Sequence, residues 1–320
     1  MQPTFRDLIA ANKRNSTLLV AIFVLFVTAL FLILALAATA YVAPDAFDAI
    51  DLGHSLILGL AAFGIALLLG LLGYYRGDRM VLAVSGAHEI EHHDDPQLFN
   101  VVEEMALAAG VPRPRVFLID DSAPNAFATG RDPKHAAVAI TTGLREKLSR
   151  DELQGVMAHE IAHIRNFDIR LMLLLAVLVG AVVMLADLFL RVVFWGRGGR
   201  RSRGDGKAGG LITIVLIVLA VILAIIAPIL AQIIQLAVSR QREYLADATA
   251  VQFTRYPLGL ANALRKIHHD PEVLETANRG TAHLYIANPI KKFEARAQGL
   301  FASHPPMAER IRRLEALAHE

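Results

Sequence analysis

The chain has no cysteine. That excludes disulfides, iron–sulfur clusters, thiolate metal sites and cysteine nucleophiles, so any metal must be held by histidine and carboxylate side chains. Charge is scarce as well: 19% of the 320 residues are Asp, Glu, Lys or Arg, and the formal net charge is +2. So even a balance carries no electrostatic footprint for nucleic acid. There is no long-period repeat, which removes solenoid architectures. Low-complexity sequence is confined to GRGGRRSRGDGKAGG at 196–210, which reads as a flexible loop.

What fills the space is apolar sequence, 55% of the chain. Such a composition points to a membrane protein. Four stretches are long enough to cross a bilayer: Thr17 to about Ala43, Gly53–Tyr75, the interval between Arg170 and Arg191 with one acid at Asp187, and Gly209–Val238 with Pro228. The first apolar run is far longer than a signal-peptide core and reads as an uncleaved anchor. Arg6, Lys13 and Arg14 precede it, and the loop to the second span has Asp45, Asp48 and Asp51 but no Lys or Arg. This asymmetry puts the N-terminus and the following polar region on the cytoplasmic side. The loop at 191–210 is strongly basic and would face outward if spans three and four both cross; the alternative is a deep hairpin entered from the cytoplasm.

Four segments follow: a transmembrane hairpin at 1–76, a cytoplasmic region at 77–168, a second hairpin at 169–238 and a polar C-terminal region at 239–320. MVLAV at 80–84 reads as a short strand. Asp95-Pro96 predicts a helix start, with Leu98, Val101, Val102 and Met105 on one face and Gly110 at its end. RVFLID at 115–120, PNAFATG at 124–130 and AAVAIT at 136–141 read as strands, and Ser149 with Glu152 as a capping box. The fold class is therefore mainly α with a small β-sheet: an α+β aqueous part attached to four hydrophobic helices.

The pattern His-Glu-x-x-His occurs twice, as HEIEHH from His88 and HEIAH from His159. On a helix it puts two imidazoles on one face and the glutamate beside them, the geometry of zinc-dependent hydrolysis. HEIAH lies in DELQGVMAHEIAHIRNFD, a good helix former. HEIEHH sits between Gly86 and Asp94-Asp95-Pro96, with Ile90 its only strongly apolar residue. It reads as an exposed polar turn, with an auxiliary metal site as the alternative. A catalytic zinc takes three protein ligands and keeps a position for water. Besides His159 and His163, Glu243 in SRQREYLADATA is the natural third ligand. If spans three and four continue as helices beyond the membrane, the histidines and Glu243 rise side by side. Asp247, one turn beyond Glu243, either holds a ligand imidazole by its other nitrogen or is a surface acid paired with Arg240 or Arg242.

A hydrophobic hairpin, NAFATG, HEIAH, a second hairpin, REYLAD at 242–247 and HPPMAERI at 304–311, taken in that order, resemble the HtpX family of membrane metalloproteases, related to the CaaX-type prenyl endoproteases. The resemblance covers nearly the whole chain. It implies an integral membrane, zincin-like endopeptidase of the bacterial inner membrane, with its active site facing the cytoplasm. It also implies one Zn2+ per chain, and as substrates the polypeptides of misfolded or misassembled membrane proteins. His159, His163 and Glu243 correspond to zinc ligands and Glu160 to the general base. Asn125 and Ala126 correspond to an edge strand that pairs with the substrate backbone. His304 corresponds to an oxyanion donor and Arg310 to a supporting residue of the C-terminal motif. Asn125 as a turn residue and His304 as a helix cap are the simpler alternatives. The rival function is a non-enzymatic membrane scaffold that binds metal or membrane proteins.

Overall fold

A computed structural model describes residues 52–174, 240–274, 284–287 and 305–318, with single positions and short runs between 14 and 36 and at 218 and 221. The chain forms two compact units. One comprises Met1–Ser16, Gly73–Ala176 and Ile233–Glu320, and the other Thr17–Leu72 and Val177–Gln232.

Helix α1, Leu52–Val84, contains the second expected span and overruns it. Its stretch Leu56–Val84 is long and apolar enough to cross a membrane. Leu56, Ile57, Leu60, Leu68 and Leu72 are exposed, as on a helix whose apolar surface is meant for lipid. Of the first expected span, Val24–Ile33 is a shorter apolar helix. Most of that span, spans three and four beyond residue 174, Asp187 and the basic loop at 191–210 lie outside the described residues. The expected strand at 80–84 is instead the last turn of α1. The run is β-prone, but the long helix ahead of it carries through Gly77 and absorbs these residues. Gly86, at φ 66°, supplies the left-handed residue that ends it.

A four-stranded sheet follows, in the order β1-β2-β4-β3. Strands β1 (Ala87–Glu89) and β2 (Arg115–Ile119) are antiparallel, with His88 opposite Leu118. β2 runs parallel to β4 (Ala136–Thr141), Phe117 opposite Ala139. β3 (Ala126–Gly130) lies antiparallel on the far side of β4, Phe127 opposite Ala139, and begins two residues later than the sequence suggests. Between β1 and β2 runs α2 (Pro96–Ala109), capped by the Asp95 carboxylate and closed by Gly110 at φ 68°. Leu98, Val101, Val102 and Met105 are buried, as their spacing requires.

A short helix α3 (Thr142–Lys147) leads into α4 (Arg150–Arg165), where Ser149 and Glu152 form the expected capping box. α4 is the central helix, packed between the sheet, α2, α5 (Arg240–Thr254) and α6 (Pro257–His269). Its contact with α6 is close because Gly155 has no side chain: a Cβ there would lie 2.5 Å from the Leu260 nitrogen. α4 does not continue into span three. It ends at Asn166, Phe167 turns at φ 61°, and helix resumes over 168–174. A final helix α7, Met307–Leu317, closes the set.

Candidate metal centre

A helix that buries His159, Glu160 and His163 faces a steep desolvation cost, so each group needs a partner. His159 and His163, one turn apart, point their Nε2 atoms at each other across 3.2 Å. From α5, Glu243 brings its two carboxylate oxygens to 3.7 Å from His159 Nε2 and 3.5 Å from His163 Nε2. A tetrahedral cation with ligand bonds of about 2.0–2.1 Å needs ligand atoms roughly 3.4 Å apart. The distance between the imidazole nitrogens and the distance from each nitrogen to its nearer Glu243 oxygen, a different oxygen for each ring, all lie close to that value. Among the described residues, these three are the one group of His, Asp and Glu side chains able to hold a metal ion.

The opposite ring nitrogens are occupied. His159 Nδ1 lies 2.9 Å from Asp247, and His163 Nδ1 lies 3.1 Å from Asp168. Each carboxylate can accept the Nδ1 proton and leave the Nε2 lone pair directed at the triangle. Guanidiniums hold both acids. Arg310, fully buried in α7, donates to Asp247 from Nε at 2.9 Å and Nη2 at 2.8 Å, and its Nη1 lies 3.2 Å from Glu243. Arg242 Nη1 lies 3.3 Å from Asp168. Asp247 is therefore a buried acid shared by Arg310 and His159, not a surface one.

Burial pulls the His159 imidazole below its ordinary pKa, with Arg310 adding to the effect against Asp247. Burial also works against a charge on His163, but Asp168 and Glu243 outweigh it and raise that ring to about 10. A field that so favours a proton there equally favours a cation in its place. Burial pushes the Glu160 carboxyl up to about 7, with His163 opposing. The Ala128 N–H of β3 holds this carboxylate, and its Oε1 has no hydrogen-bond partner among the described residues.

The chain matches the model of peptidase family M48 over residues 92–318. The chain belongs to this family. Among curated M48 relatives, "Protease HtpX homolog" of Caldanaerobacter subterraneus is 46% identical over 246 residues, covering 77% of this chain and 80% of that protein. "Protease HtpX homolog" of Dictyoglomus thermophilum is 40% identical over 318 residues, covering 99% of this chain and 96% of its own. The crystal structure of S. mikatae Ste24p aligns with TM-score 0.46 and 24% identity, covering 78% of this chain and 57% of that one. As an M48 member of the HtpX type, the chain is a metalloprotease.

The other expected positions fall differently. His88 is exposed on β1, 4.0 Å from Asp120, and His92 contacts Asn100 at 3.2 Å from a turn. HEIEHH is thus strand and turn, and its histidines share no helical face. Asn125 and Ala126 are buried and bonded within the chain, to Ala287 and Ile286. His304 lies outside the described residues. Sequence reading missed Asp168 and Arg242. The turn at Phe167 folds Asp168 back onto His163, and only the Asn-Phe-Asp run after HEIAHIR hinted at a turn there.

Proposed function

We propose that this chain is an integral membrane zinc endopeptidase that cleaves misfolded or misassembled membrane proteins from the cytoplasmic side of a bacterial inner membrane. The observation that carries the proposal is the His159–His163–Glu243 triangle with buried Glu160 one residue from its first ligand. The long apolar helix supports the membrane assignment, and the protease relatives support polypeptides as substrates.

His159, His163 and Glu243 would hold one zinc ion, which supplies Lewis-acid polarisation of a carbonyl and acidifies a water towards neutral pH. Asp247 and Asp168 keep the protons of the two imidazoles on Nδ1, so that neither ring turns an N–H towards the triangle. Glu160 is the general base. Its raised proton affinity lets it take a proton from the attacking water and pass it to the leaving amine. The polar edge of β3 reads peptide backbone without regard to side chains, which suits a broad substrate range. In this reading Asn125 and Ala126 contribute to that edge, and His304 donates to the oxyanion.

Glu160→Gln keeps size and shape but removes the base. Purified in detergent, it should retain zinc at wild-type stoichiometry and lose cleavage of a labelled unfolded protein by at least about 100-fold. Cleavage at the wild-type rate would rule out this role. In the same metal analysis His159→Ala should lose zinc and His88→Ala should keep it.

A further inference from the structure

Residues 284–287 occupy the peptide-reading edge of β3. Tyr285 forms an antiparallel bridge with Phe127, and Ile286 N–H donates to the Ala126 carbonyl at 2.9 Å. The Asn125 side chain treats Ala287 as a neighbouring strand would: Nδ2 donates to its carbonyl at 3.0 Å, and Oδ1 accepts its N–H at 3.3 Å. The Ile286 carbonyl accepts from Arg310 Nη1 at 3.1 Å, and that same nitrogen lies 3.2 Å from Glu243. The Ile286–Ala287 peptide unit is therefore gripped at both polar ends by side chains beside the metal-binding cluster.

Every one of these groups recognises main chain, and none recognises a side chain. An asparagine amide and a strand carbonyl bind any extended peptide equally well. Outward-facing groups alternate along a strand, so Ala126, Ala128 and Gly130 present theirs on this edge. Among the described residues, Ala126 receives a main-chain hydrogen bond from the segment. The hold of the segment comes largely from Tyr285, which is fully buried, packs edge-on against Phe127 with centroids 5.0 Å apart, and donates its hydroxyl to Ser85 at 3.2 Å.

We propose that residues 284–287 are a resident pseudosubstrate: they lie in the substrate's place along β3 and must be displaced before a polypeptide can bind. This rests on the endopeptidase reading above. Basal activity is then set by how tightly Tyr285 anchors the segment, and the substrates admitted are those whose extended backbone out-competes it along β3.

The test loosens the anchor away from the metal-binding cluster. Ser85→Ala, or Tyr285→Phe should the first variant fail to fold, removes one hydrogen bond and leaves Asn125, Ala126 and Arg310 intact. In zinc-loaded Glu160→Gln full-length protein, a fluorescein-labelled unstructured peptide should bind about two- to ten-fold more tightly once Ser85→Ala is added, the range one net hydrogen bond allows. Amide exchange at Ile286 and Ala287 should accelerate when the peptide binds. Equal affinity with and without Ser85→Ala, no binding to either protein, or amides that stay protected under bound peptide would each overturn the proposal. Neither measurement needs cleavage, so a wild-type chain that fails to hydrolyse sinks the endopeptidase reading separately.

Discussion

Asp247→Asn changes one atom at the point where the histidine and arginine networks meet. Asp247 Oδ1 faces His159 Nδ1 at 2.9 Å and Arg310 Nη2 at 2.8 Å, while Oδ2 faces Arg310 Nε at 2.9 Å. Asparagine must put an NH2 group in one of those places. Either orientation sets a donor against a donor, and Arg310, fully buried, loses its bidentate partner. Breaking a buried ion pair costs about 3–5 kcal/mol. The low end applies here, because Glu243 remains 3.2 Å from the guanidinium. His159 also loses the acceptor that keeps its proton on Nδ1, which should weaken zinc binding about 10- to 100-fold. Chelator competition measures the affinity, and thermal unfolding in detergent followed by circular dichroism measures stability. Adding Arg310→Met removes the stranded charge, so the double variant should recover part of the lost stability, with a coupling of about 1–3 kcal/mol. If Asp247→Asn binds zinc within twofold of wild type and melts at the same temperature, the assignment of Asp247 as the acid that orients His159 is wrong.

Asp168→Ala should weaken zinc binding by at least about 10-fold in the same competition assay, because it strips His163 Nδ1 of its acceptor and Arg242 of its counter-charge. Gly155→Ala should destabilise by about 1–3 kcal/mol despite alanine's better helix propensity, since the methyl group meets Leu260 backbone. An unchanged or raised melting temperature would refute the close approach of α4 and α6. Burial works to raise the Asp95 pKa, but the Arg145 guanidinium and the Leu98 N–H override it and hold the carboxyl low. Asp95 therefore contributes stability above the unfolded-state value of about 4 and loses it as pH falls through the folded value. The stability gap between wild type and Asp95→Asn should accordingly shrink as denaturation is repeated at successively lower pH.

Local signals in the sequence were reliable where a short-range interaction decides the structure. The Asp95 cap, Gly110 and the Ser149–Glu152 box each mark a helix end through contacts within a few residues, and all three ends lie where they point. The run at 80–84 failed because it was read apart from the helix that runs into it. A short continuous apolar run suits a buried strand or a helix that is already under way, and periodicity alone does not tell them apart. The partners of the imidazoles were half legible. Asp247 follows Glu243 at helical spacing on α5, whereas Asp168 reaches His163 through a left-handed turn at a phenylalanine, a conformation that no residue pattern announces. The seating of residues 284–287 on β3 joins positions 162 apart in the chain, and such a contact has no period to reveal it.

The charge around the triangle narrows what it can hold. Among the described residues, Glu160, Glu243, Asp247 and Asp168 are all buried, and the buried guanidiniums facing them are those of Arg310 and Arg242. Four carboxylates against two guanidiniums leave a formal charge of −2 when both imidazoles are neutral. A dry interior does not tolerate that, and two features already push against it: the raised pKa of His163 and the raised pKa of Glu160. Each would neutralise one charge by holding a proton. A single divalent cation neutralises both at once. It also leaves the imidazoles neutral and Glu160 ionised, the protonation states that metal ligation and general-base chemistry require. A monovalent ion would leave one of the two protons in place, so the same arithmetic that favours a metal here favours a doubly charged one.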